Sequence, residues 1–132
     1  MPVKPRLEHE APLAVEKWGW RYHHLGIPTK NPMPDEEYYP HLKMYASGFK
    51  TSPFGIEWMR FAPDCKISEL IQTVPHVAFE VDNLESALHQ AGQKDADISS
   101  PADGIRVAMI IHNHAPIELI EFSDEWKCKA RS

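Results

Sequence analysis

Two short stretches of this chain each occur twice in altered form. HHLGIPT (23–29) is echoed by PHVAFEV (75–81), and FGIEWMRF (54–61) by APIELIEF (115–122). Strand-like segments that return in the same order point to a duplicated supersecondary unit more than to one irregular meander. The second copy is the easier to parse. HVAFEV alternates as a half-buried strand, and DNLESALHQAG carries an apolar stripe of Leu84, Ala87, Leu88 and Ala91. Asp82 is placed to cap that helix, Glu85 follows three residues later as in a capping box, and Gly92 is a natural stop. Strands follow at DISSPA, GIRVAMIIH and PIELIEF. The unit is βαβββ.

The first copy reads the same way without its helix. KNPMPDEEYYPHL contains Pro32, Pro34 and Pro40, which leave room for a loop with at most one helical turn. LKMYASGF and FGIEWMRF read as strands, separated by a turn at TSP. Residues 1–17 show no clear period, APDCKISELIQTVP is a connection without an assigned structure, and the chain beyond Phe122 reads as a polar tail. The expectation is an α+β fold of two paired βαβββ modules, at about 18–62 and about 74–122, within a single domain spanning 1–132.

Composition narrows the function classes. With 42% hydrophobic and 25% charged residues a buried core is within reach and disorder is not expected. The net charge of −5 and scattered basic residues argue against nucleic acid as a partner. No apolar run approaches the roughly 20 residues of a membrane helix, and MPVKPRLEHEAP lacks the apolar centre of a signal peptide. A cytoplasmic protein with no membrane partner is expected. Cys65 and Cys128 are too few and too far apart for a disulfide framework, and read as free thiols.

The ionisable residues gain meaning when placed on the strands. His24 stands against Leu25 and Ile27, Glu57 against Ile56 and Trp58, His76 against Val77 and Phe79, and Glu118 against Ile117 and Leu119. Each projects from the face opposite the most apolar residues, at matching places in the two halves. His24 shares its face with Gly26, which leaves room beside it, whereas strict alternation turns His23 away. Taken singly, a strand histidine is more often structural and a strand glutamate more often exposed. Together, two imidazoles and two carboxylates can form a four-ligand site with open positions, suited to zinc, nickel, manganese, cobalt or ferrous iron. By the same parity Tyr22, Tyr45, Ser47, Met59 and Arg106 are candidate cavity liners, while His112 and His114 bracket a solvated turn.

HHLGIPT, GIEWMRF, PHVAFEVDNLESAL and APIELIEF together resemble the vicinal oxygen chelate superfamily, which includes glyoxalase I, methylmalonyl-CoA epimerase, extradiol dioxygenases and the fosfomycin and bleomycin resistance proteins. The resemblance covers roughly residues 20–122. It implies a U-shaped mixed sheet around a divalent metal, ligated by His24, Glu57, His76 and Glu118, with Glu118 or Glu57 as the catalytic base. It also implies a small-molecule substrate and metal-stabilised enediolate chemistry of the lyase or isomerase kind. Glu69 in ISELI rivals Glu57 as the first carboxylate, but Glu57 lies on the stronger strand. An iron-dependent dioxygenase and a non-catalytic small-molecule or antibiotic-binding resistance-type protein remain as alternatives. Two-module relatives often pair, so a homodimer is compatible with the resemblance.

Overall fold

A computed structural model describes residues 2–131, with side chains through residue 127. Eight strands form one sheet: β1 (Arg21–Pro28), β2 (Glu37–Tyr39), β3 (Met44–Ser47), β4 (Ile56–Phe61), β5 (His76–Glu80), β6 (Ile98–Ala102), β7 (Ile105–His112) and β8 (Ala115–Phe122). Four helices accompany them: α1 (Leu13–Glu16), α2 (Glu69–Thr73), α3 (Leu84–Gln90) and α4 (Asp124–Arg131). The spatial order is β2-β3-β4-β1-β5-β8-β7-β6. Read outward from the centre, each half repeats the same sequence of strands: first, fourth, third, second. β1 pairs in parallel with β4 as β5 does with β8, and β1 meets β5 antiparallel at the junction. The duplicated unit expected from the sequence is therefore present, with no helix between β1 and β2.

Alternation sorts the side chains onto two faces. One face packs under α3, whose Leu84, Ala87 and Leu88 are buried against Trp20, Val81, Ala108, Ile110 and Leu119. Burying each large aliphatic side chain stabilises by about 1.5–3 kcal/mol. The other face lines a cavity of about 460 Å³ reached by β3, β4, β1, β5, β8 and β7. Six strands laid flat would span roughly 24 Å at the usual spacing. They can line one such cavity only because the sheet curls around it. The connection between the halves crosses this concave side, where Ile67 and Ile71 complete the wall.

Several local expectations need correction. Asn83, not Asp82, caps α3, accepting from the Ser86 amide at 2.8 Å. Asp82 is engaged instead by Arg21, and Glu85 by Arg106, so no capping box forms. The proline-rich segment contains the short edge strand β2, held by Tyr38 stacked on Tyr45 with ring centroids 4.6 Å apart. The entry segment forms a 3₁₀ turn at Glu8–Glu10 and then α1, and the segment beyond Phe122 forms α4. Gly92 does end the helical region, at φ +71°. Asn113 and His114 both have positive φ and make the two-residue β7–β8 turn, with His112 and His114 exposed as expected. Cys65 is a free thiol; the Cys128 side chain lies outside the described residues. Among the described residues no helix is long and apolar enough to cross a membrane.

Candidate metal centre

The centre of the sheet brings His24 from β1, His76 from β5 and Glu118 from β8 onto the concave face. Register explains the meeting. Ala78 is paired with His24 on one side and Glu118 on the other, and His76 is paired with Gly26. A Cβ on residue 26 would stand 2.2 Å from His76 Cε1 and 2.7 Å from both ring nitrogens. Glycine is thus what lets the His76 imidazole lie across β1. The room anticipated beside His24 exists, and His76 fills it.

The three side chains offer ligand atoms all within 4.8 Å of one another. Glu118 Oε1 lies 3.4 Å from His24 Nε2 and 3.5 Å from His76 Nε2. A cation held at about 2.1 Å from each donor would space them about 3.0–3.5 Å apart, a spacing that Glu118 Oε1 already keeps with both imidazoles. The rings of His24 and His76 stand at 84°, 5.4 Å between centroids, and both are almost fully buried. His76 Nδ1 is buried and has no hydrogen-bond partner among the described residues.

Burial works to raise the Glu118 pKa, but hydrogen-bonding and charge interactions with His24 and His76 outweigh it and hold the carboxyl at about 2. Glu118 is therefore ionised, as a ligand must be. Glu57 differs. Its Oε1 is 4.0 Å from His24 Nε2, and it stands outside the tight trio. Burial pushes its pKa up; the imidazoles oppose that shift and the Glu118 charge adds to it. Glu69, the rival carboxylate, is exposed at the start of α2 and does not line the cavity.

His23 is the residue that alternation misplaced. Tyr22 pairs with Phe79 and His24 with the adjacent Ala78, so the strand bulges at His23. The bulge brings His23 Nδ1 to 2.7 Å from His24 Nδ1. One nitrogen must donate and the other accept. A proton on His24 Nδ1, donated to His23, leaves Nε2 as the nitrogen that would ligate an ion held with Glu118 and His76. Burial, followed by the charge at His24, lowers the His23 pKa and favours the neutral, accepting ring. Phe49 and Phe122 pack beside His23, with centroids 5.0 and 5.8 Å away. Nothing in HHLG announces a bulge, so sequence alone had no signal for this contact.

Among the candidate liners only Met59 faces the cavity. The bulge turns Tyr22 outward, where its hydroxyl donates to the Phe54 and Gly55 carbonyls. Tyr45 and Ser47 lie on the opposite face of β3 from Met44, with Tyr45 under the Arg60 guanidinium. Arg106 projects away from the cavity to pair with Glu85 and Glu121. The liners that parity arguments missed include Met44, Val107 and Met109. Met109 faces the cavity because the β7–β8 register sets it opposite Glu118.

No family model matches the chain, and no curated protein matches it. Among solved structures, methylmalonyl-CoA epimerase from Mycobacterium tuberculosis is similar at 15% identity over 82% of this chain and 91% of that one, with a TM-score of 0.47. Strand order and pairing by themselves give the chain the paired-module architecture implied by its resemblance to the vicinal oxygen chelate superfamily.

Proposed function

We propose that this chain is a divalent-metal-dependent, glyoxalase-like lyase or isomerase acting on a small oxygenated substrate. His24, His76 and Glu118 would hold the ion. The observation that carries the reading is Glu57, an ionisable group beside that trio but outside it, with its pKa raised by burial. When bound, a divalent ion supplies Lewis acidity toward adjacent substrate oxygens. Glu57 is then placed to accept the proton from the carbon next to a carbonyl.

A second reading has one observation behind it. Two histidines and one glutamate, with Glu57 apart, are also the facial ligand set of ferrous dioxygenases. Elemental analysis of untagged protein separates the readings. Near-stoichiometric divalent metal, lost in His24→Ala, His76→Ala and Glu118→Ala, supports the centre; iron with oxygen consumption moves the assignment to the dioxygenase. Failure to take up any divalent ion tightly would leave a small-molecule-binding protein. A cytoplasmic location and homodimeric assembly belong to the same proposal, and sedimentation tests the second.

A further inference from the structure

Apart from His24, Glu57, His76 and Glu118, every side chain lining the central cavity is aliphatic, aromatic or a thioether. Met44, Met59 and Ile120 are deeply buried, and Met109, Ile71 and Phe122 complete much of the remaining surface. No lysine, arginine, hydroxyl or amide side chain among the described residues lines it. The cations on neighbouring strands are engaged elsewhere: Arg60 with Glu36, Arg106 with Glu85 and Glu121, and Arg21 with Glu80 and Asp82. A second cleft, of about 330 Å³, meets the cavity at Glu57 and carries a net negative charge. It sets Asp35, Glu37 and Glu57 against Lys50, with Tyr39, Ser47 and Thr51 as neutral polar neighbours.

Resting on the metal-centre reading, we propose that the substrate is a compact, uncharged molecule: two adjacent oxygens at one end and an apolar body at the other, without a carboxylate or phosphate on that body. On that body an anion would lose hydration among aliphatic, aromatic and thioether side chains that offer it no donor. The apolar body gains from contact with the three thioethers, whose unbranched, polarizable chains adapt to differently shaped ligands. A cavity of about 460 Å³ is in the usual range for small ligands. Carbon skeletons of several shapes are therefore expected to fit, provided they are neutral.

The test compares 2-hydroxyacetophenone, which carries vicinal oxygens on a phenyl body, with the same compound bearing a carboxylate at ring position 4. Binding is followed by calorimetry and by the methionine methyl signals of zinc-loaded and metal-free protein. The expected result is at least tenfold tighter binding of the neutral probe, with shifts of the Met44, Met59 and Met109 methyls. Ile71→Arg, which puts a cation into the wall, should narrow or invert that ratio. Equal or tighter binding of the carboxylate by the native protein would overturn the inference, as would the absence of shifts at all three methyls. So would an unchanged ratio in folded Ile71→Arg. Failure to bind zinc while the neutral probe still shifts those methyls removes the metal reading and leaves the cavity inference standing; zinc binding with a carboxylate preference does the reverse.

Discussion

Gly26→Ala is the smallest change that should separate the metal centre from the fold. The glycine lies in β1 without a positive φ, so alanine meets no backbone penalty there. The obstacle is a single side chain: the three nearest atoms to the added Cβ all belong to His76, the closest at 2.2 Å. Ordinary contact begins near 3.4 Å, so the ring must move about 1.2 Å. Coordination tolerates only about 0.2 Å, and the variant should bind zinc about 100-fold more weakly, or about 2.7 kcal/mol. Overpacking should also destabilise the metal-free protein by about 1–3 kcal/mol. Zinc affinity is read by competition with a chromophoric chelator, and stability by urea unfolding of the metal-free form. Repeating the substitution in a His76→Ala background closes the cycle. There the alanine faces vacated space, and its stability cost should nearly vanish. If Gly26→Ala costs the same with and without His76, or if it binds zinc as well as the native protein, the clash is not what makes residue 26 glycine.

His23→Ala removes the acceptor that fixes His24 with its proton on Nδ1, and should weaken zinc binding by about 10–100-fold, with partial recovery in His23→Asn; unchanged affinity in the same chelator competition would show that the 2.7 Å contact does not orient the ring. Part of the acid sensitivity should trace to Arg106, whose hydrogen bonds hold Glu85 at about 2 and lower the Glu121 pKa. A carboxyl held below its ordinary pKa binds fewer protons folded than unfolded, so its contribution is full above the ordinary value of 4.5 and lost as pH falls toward about 2. Urea midpoints of Arg106→Gln should accordingly lie below native at pH 6 and converge with native near pH 2; a constant difference across that range would exclude this linkage.

What the sequence disclosed and what it hid divide along a physical line. Period-of-two alternation is a property of one strand, and it correctly placed His24, Glu57, His76 and Glu118 on a common face before any partner strand was known. Alternation fails where a residue has no opposite number. At the His23 bulge it reversed the facing of both His23 and Tyr22, turning one toward the site and the other away. Arg106 departs from the expected face for a different reason: the facing of β7 is fixed by the register that sets Met109 opposite Glu118. Once that pair is set, Val107 and Ile105 fall on the concave face and Arg106 on the other, where two carboxylates await it. β2 escaped notice because three residues flanked by prolines carry too little pattern, and its stability comes from Tyr38 meeting Tyr45 across the pair. Gly26 shows the same dependence in its sharpest form. Its vacancy was visible in the chain, but its occupant, an imidazole 50 residues later, is fixed by the antiparallel register that sets β5 beside β1.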